Sequence, residues 1–235
     1  MPEEKQHTRP RGRPENRPII RILQAVNVCI SRMYHRLTVL APQRLPRSGA
    51  AILVCNHISG LDPMLLQSVC PRMVTWMMAK EYYNVRGLGW VFRKIGVIPV
   101  ERSGRDLSST RAAMRALSDG GVLGIFPEGR IEMTAELLPF QTGAAMLALK
   151  TGVAVFPAAI EGTQHGIDSM LPVYLKPQQA MIAFGEPIRL PPRKHPAGDS
   201  PDFQSVTNTI QEAVRRLRQR YMPGGFGKNR KKFAL

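Results

Sequence analysis

Ala50-Ala51-Ile52-Leu53-Val54-Cys55-Asn56-His57-Ile58-Ser59-Gly60-Leu61-Asp62-Pro63 is the stretch on which the reading of this chain turns. Ala51 to Val54 is a short, uninterrupted apolar run, the pattern of a strand. It empties into a polar turn, and Pro63 suits the first turn of a helix running to Val69. Strand, polar turn and helix in succession are the unit from which α/β layers are built.

The turn itself carries two groups of chemical interest. On a continuous helix His57 and Asp62 would point about 140° apart, at about 100° per residue. Gly60 and Pro63 favour a turn instead, in which the two side chains can meet. A carboxylate bonded to one imidazole nitrogen sets the tautomer and leaves the other nitrogen to accept a proton. A second reading is purely structural. Ser59-x-x-Asp62 is a variant of the capping box, with Asp62 as N-cap ahead of Pro63 and His57 an ordinary loop residue.

Downstream the alternation continues. Strands are expected at Val74 to Met78, Val97 to Val100, Val122 to Phe126, Val153 to Ile160 and Ala180 to Phe184. Pro99 marks its strand as an edge or a strand end. Helices are expected at Leu88 to Ile95, Leu107 to Leu117, Ala144 to Lys150 and, after a proline-rich loop from Leu190 to Pro201, along Phe203, Val206, Ile210, Val214, Leu217 and Tyr221. The fold class is therefore α/β: a layered domain with a mostly parallel or mixed central sheet flanked by helices.

Upstream, Ile19, Ile22, Leu23, Val26, Ile30, Met33 and Leu37 recur at helical spacing, with Arg21, Arg32 and Arg36 beside them. Ile19 to Leu40 is too interrupted by charge to span a bilayer. It reads as an N-terminal amphipathic helix, packed on the core or laid on a membrane surface. The chain thus divides into a basic N-terminus expected to be disordered (1–18), the amphipathic segment (19–45), the main domain (46–222) and a basic tail (223–235).

Composition narrows the partners. Of 235 residues, 33 are Lys or Arg and 17 Asp or Glu, a net charge of +16 that favours anionic partners. Hydrophobic residues at 43% imply a globular core, and aromatics at 6% argue against single-strand stacking. Zinc-finger spacing, an aromatic RNA-binding block and a helix-turn-helix signal are missing, so no specific nucleic acid is expected. Cys29, Cys55 and Cys70 show neither disulfide nor zinc spacing, which fits a reducing cytoplasm.

Two further segments end strands in charged turns: Gly96-Val97-Ile98-Pro99-Val100-Glu101-Arg102 and Phe126-Pro127-Glu128-Gly129-Arg130. Open α/β sheets place their sites at such strand ends. An arginine there can take a phosphate through paired hydrogen bonds. Glu128 can bind a hydroxyl or hold an arginine, and Gly129 admits close backbone approach.

With these segments in order, the chain resembles the glycerolipid acyltransferases, especially the 1-acylglycerol-3-phosphate acyltransferases. Asn56-His57-x4-Asp62 is similar to their catalytic block, Gly96 to Arg102 to their second and Phe126 to Arg130 to their third. Val155-Phe156-Pro157-Ala158-Ala159-Ile160 with Gly162-Thr163 is similar to their fourth. The resemblance implies transfer of an acyl group from acyl-CoA or acyl carrier protein to a glycerol hydroxyl, with no metal, no other cofactor and no covalent acyl-enzyme. It implies His57 as general base and Asp62 as its orienter. It assigns Asn56, Ser59, Arg102, Glu128, Gly129 and Arg130 to substrate binding. A lysophospholipid, an acyl thioester and an anionic membrane surface are the implied partners, on the cytoplasmic face of a membrane; no oligomeric state follows. Three positions depart from the family pattern. Arg130 follows Gly129 without the usual threonine, Gln141 stands where a lysine is common, and Ala154 replaces the first proline of the fourth block. These departures leave room for a different lysophospholipid or lipid acceptor; charge alone supports one further alternative, a non-catalytic basic binding protein.

Overall fold

The computed structural model describes residues 18–83, 89–101, 106–132, 136–163, 175–190 and 202–223. Expectations for 1–17, the loop 191–201, the tail from 224 and Arg102 lie outside these residues. A seven-stranded sheet forms the centre, in the order β1-β7-β6-β2-β5-β3-β4. The strands are β1 (Thr38–Ala41), β2 (Ala51–Cys55), β3 (Val74–Ala79), β4 (Ile98–Val100), β5 (Val122–Ile125), β6 (Val155–Glu161) and β7 (Met181–Phe184). All neighbours pair parallel except β6 with β7. The sheet is mixed and mostly parallel, as the strand–helix alternation implies.

β2 is central and fully buried, because both its faces are covered. Ile52 and Val54 point into one core with Leu123, Ile125 and Ala159. That core is closed by the helices α5 (Leu107–Ser118), α6 (Gly143–Thr151) and the long C-terminal α7 (Phe203–Tyr221). Ala51, Leu53 and Cys55 point into a second core with Trp76, Phe156 and Ile160, covered by α2 (Asp62–Val69) through Leu65 and Leu66. The strict alternation is the two-residue period of a strand acting on a sheet covered on both sides.

Two prolines sit where the ladder tolerates them. Pro99 lies in β4, the edge strand its sequence implied. Pro157 lies in the interior strand β6, but its carbonyl accepts from Gly185 just past the end of the β7 ladder. Its missing N–H points to the same side as that carbonyl, so the lost bond falls at the end of the β7 ladder and not toward β2.

The N-terminal segment differs from a single helix. Helix α1 spans Pro18–Cys29 and passes into a π-helical turn, Ile30–Tyr34. Arg36 then takes φ of 43°, which ends the helical path. Thr38-Val39-Leu40-Ala41 joins the sheet beside β7, with the Thr38 N–H donating to Ala180 O at 2.9 Å. A sheet edge offering unpaired backbone groups overrides the helical periodicity there. Two short helices, α3 (Lys80–Tyr83) and α4 (Gly89–Ile95), follow β3, and only the second was expected.

Helix α1 is also inverted with respect to an ordinary surface helix. Gln24 donates to Gln67 O at 2.8 Å and Asn27 to Met64 O at 3.0 Å, so its polar stripe faces α2. Ile19, Ile22, Leu23 and Val26 point away, each about half exposed.

Candidate active site

β2 ends at Cys55, and the chain turns before α2 begins at Asp62. His57 Nδ1 lies 2.9 Å from Asp62 Oδ2. The same oxygen accepts the backbone N–H groups of Ile58 at 2.8 Å and Ser59 at 2.9 Å. Asp62 Oδ1 accepts the Thr163 hydroxyl at 3.2 Å, and the carboxylate is wholly buried. This decides between the two readings of the motif. Asp62 is not the N-cap of α2. It sits in the first turn, and its carboxylate reaches back to the turn that carries His57. With the carboxylate accepting at Nδ1, that nitrogen carries the proton and Nε2 is the acceptor.

Four backbone amides of the turn are taken up internally: Ile58 and Ser59 by Asp62, Leu61 by Ser59 Oγ at 3.3 Å, and Asp62 by Ser59 O at 3.1 Å. The sequence could not reveal this, because it depends on the direction in which Asp62 faces.

The imidazole is held on its face as well. Phe126, just after β5, stacks on it at 4.1 Å between ring centroids, tilted by 19°. Trp76 of β3 stacks on the far side of Phe126 at 5.1 Å. Gly124 makes room for that column, since a Cβ there would meet the Trp76 ring at 2.4 Å.

Among the expected substrate-binding residues, three lie together at the end of β5. Glu128, Gly129 and Arg130 line one cavity of about 320 Å³ with Gln141. A second cavity, of about 430 Å³, shares Gly129, Arg130 and Gln141 and opens onto His57. Its lining also includes Met77, Met78 and Tyr82 and, from α6, Ala144, Met146 and Leu147. Glu128 accepts the His57 N–H at 3.0 Å and the Leu138 N–H at 3.2 Å. Burial pushes its carboxyl up to about 7, against the pull of those two backbone donors. Gly129 takes φ of 70°, and a Cβ there would lie 2.3 Å from Gln141 Nε2. The close approach that Gly129 permits is thus that of Gln141.

Asn56 and Ser59 are turned inward. The Asn56 amide is bonded twice to Ile160 on β6, accepting its N–H and donating to its carbonyl, both at 2.9 Å. It is a strap between β2 and β6, and Ser59 is wholly buried beneath the turn. Thr163, Phe126, Trp76 and Glu132 were not singled out in sequence. Phe126 and Thr163 fall in segments already noted for chemistry, but nothing local signals that Trp76 or Glu132 reach the site.

The family profile described as Acyltransferase matches residues 36–161, just over half of the chain. The 1-acyl-sn-glycerol-3-phosphate acyltransferase of Bacillus subtilis is 27% identical over 147 residues, 62% of this chain and 70% of that protein. That of Helicobacter pylori is 28% identical over 178 residues, 74% of this chain and 70% of its own length. Other relatives are spanned less fully; the Borreliella burgdorferi enzyme of the same name is matched over 53% of its length. The crystal structure of the 1-acyl-sn-glycerophosphate (LPA) acyltransferase PlsC from Thermotoga maritima shares the fold, with a TM-score of 0.64 at 21% identity over 86% of this chain and 82% of that one.

Proposed function

Since the chain belongs to the acyltransferase family, we propose that it moves a fatty acyl group from a thioester to the free hydroxyl of 1-acylglycerol-3-phosphate, with His57 as the base. The observation that carries this reading is the 2.9 Å contact from Asp62 to His57 Nδ1 at the mouth of an apolar cavity. The names of the Bacillus and Helicobacter relatives support the acceptor.

In this mechanism His57 Nε2 takes the proton of the acceptor hydroxyl as its oxygen attacks the thioester carbonyl. Asp62 keeps the ring in the productive tautomer and stabilises the imidazolium that forms. Collapse of the tetrahedral intermediate breaks the carbon–sulfur bond, and the thiolate leaves with the proton returned by the imidazolium. The methionine-lined part of the larger cavity suits an acyl chain, because flexible thioethers adapt to an alkyl guest. We assign the acceptor phosphate to Arg130, which lines both cavities, and Arg102 belongs to the same proposal. Acyl-CoA or acyl carrier protein serves as donor.

The outward apolar face of α1 is best matched by a membrane surface. Ile19, Ile22, Leu23, Val26 and Met33 are exposed together, and Arg21, Arg32 and Arg36 add positive charge beside them. A helix with its polar stripe against the protein and its apolar face outward suits a lipid interface. Among the described residues no helix is long and apolar enough to cross a membrane.

Thiol release from acyl-CoA with lysophosphatidic acid, with product lipids identified, tests the reaction. His57→Ala is expected to lose about 10²- to 10⁴-fold in kcat while melting as cooperatively as the parent. Equal rates would remove His57 as the base. A second reading, another lysophospholipid acceptor, draws on Gln141, whose uncharged amide faces both cavities. A panel of acceptors without preference for a phosphomonoester would favour it.

A further inference from the structure

We propose that Glu128 is a positioning residue whose carboxylate fastens the backbone of the base, so that Glu128 serves His57 rather than the acceptor. The inference rests on the reading of His57 as the base, and goes beyond it by giving Glu128 a different task from substrate binding.

Three contacts from one short segment converge on His57. Phe126 lies against the ring face. Glu128 Oε1 accepts the His57 N–H at 3.0 Å. The Glu132 N–H donates to His57 O at 2.8 Å. Ring and both backbone polar groups are thereby fixed from the end of β5. Gly129 closes the turn that makes this possible, its N–H donating to Phe126 O at 3.1 Å with φ of 70°. The second Glu128 oxygen accepts the Leu138 N–H at 3.2 Å, so the same carboxylate ties His57 to the wall of the smaller cavity. Glu128 is 5% exposed, and each oxygen already holds a backbone donor. Its two oxygens thus tie His57 on one side to Leu138 on the other.

Around it stand His57 and Cys55 at the end of β2, Asp62 bonded to His57, Glu132 in its own turn and Arg218 on α7. Burial and Glu132 raise its carboxyl to about 7, while the two amides and Arg218 work the other way. Protonation turns one oxygen into a donor facing an N–H, which opens one side of the clamp. The clamp is therefore complete above neutrality and weakens below it.

Glu128→Gln keeps the volume but has one accepting oxygen for two N–H groups. The expected result is a kcat lowered about 10- to 100-fold, as for a base displaced by a fraction of an ångström, with KM for lysophosphatidic acid changed by less than about threefold. The downfield Nδ1–H proton resonance of His57 should shift or broaden in the variant. A KM raised more than about tenfold with kcat retained would overturn the proposal and return Glu128 to the acceptor site. An unaltered kcat would overturn it as well. Should the variant not fold, the parent protein suffices. Its His57 backbone amide resonance, followed from pH 5.5 to 8.5, should move in step with the Glu128 carboxyl carbon, and an amide that ignores that carbon refutes the clamp. If His57→Ala itself keeps full turnover, the base reading fails. If His57→Ala is inactive and Glu128→Gln changes only KM, this inference fails alone.

Discussion

Asp62 shows how much one carboxylate can organise. It receives the imidazole, two backbone amides and a threonine hydroxyl, and so fixes both the tautomer of His57 and the shape of the turn. Asp62→Asn replaces one accepting oxygen by a donor facing groups that also donate. The expected outcome is a kcat reduced about 10²- to 10⁴-fold, with a stability loss of about 1–3 kcal/mol from the unsatisfied partners. Steady-state kinetics beside urea unfolding would separate the two. Gly129 poses a different residue-scale question. Gly129→Ala combines positive φ with a Cβ meeting Gln141 Nε2 at 2.3 Å. It should cost about 1–3 kcal/mol, of which Gln141→Ala in the same chain recovers only the steric part. Full recovery in the double variant would mean that the backbone conformation carries no strain.

At the scale of elements, α1 and α7 play opposite parts. α7 is bound into the fold: its Arg218 Nε donates to Glu161 Oε1 at 2.8 Å, and Ile210, Val214 and Leu217 are buried. That pair anchors the end of β6, close to the Asn56 strap and to Thr163, so α7 supports the site from behind the sheet. α1 is held to α2 by side-chain amides and turns its apolar residues outward. Replacing Ile22, Leu23 and Val26 together by serine should leave the melting temperature within a few degrees, since these side chains are not in the core. It should weaken co-sedimentation with anionic liposomes by about tenfold or more, since burial of each such side chain contributes about 1.5–3 kcal/mol when complete. Undiminished sedimentation would exclude this face as the lipid contact.

For the whole molecule, Glu128 makes an imprint on stability as a function of pH. Its carboxyl is raised from an ordinary 4.5 to about 7. Between these values the folded state holds a proton that the unfolded chain has released, so stability from this group falls as pH rises from about 4.5 to 7. The full difference is about 3 kcal/mol, at about 1.4 kcal/mol per pH unit. Glu128→Gln removes this slope. Denaturation of parent and variant between pH 4.5 and 8 should show the parent losing stability relative to the variant as pH increases. Parallel curves would show that Glu128 titrates normally. The fold accepts this cost because the ionised carboxylate is the form that can hold two amides at once.

The α/β layering could be read from the sequence because it is encoded by short-range periodicities. Ala51 to Cys55 alternates between two cores, and Pro99 announces an edge. The His57 and Asp62 spacing was legible for the same reason, since five residues across a Gly-Pro turn are a local matter. Only the tertiary structure decided the rest. Asp62, turned back to His57, is also held by the hydroxyl of Thr163, 101 residues away. Asn56 became a strap because β6 lies beside β2, Thr38 to Ala41 became a strand because β7 offered an edge, and Trp76 joined the imidazole column because β3 lies beside β5. Each outcome is set by pairing between distant strands. Local pattern specifies which segments become strands and helices, while hydrogen-bond partners far along the chain select what each polar side chain does.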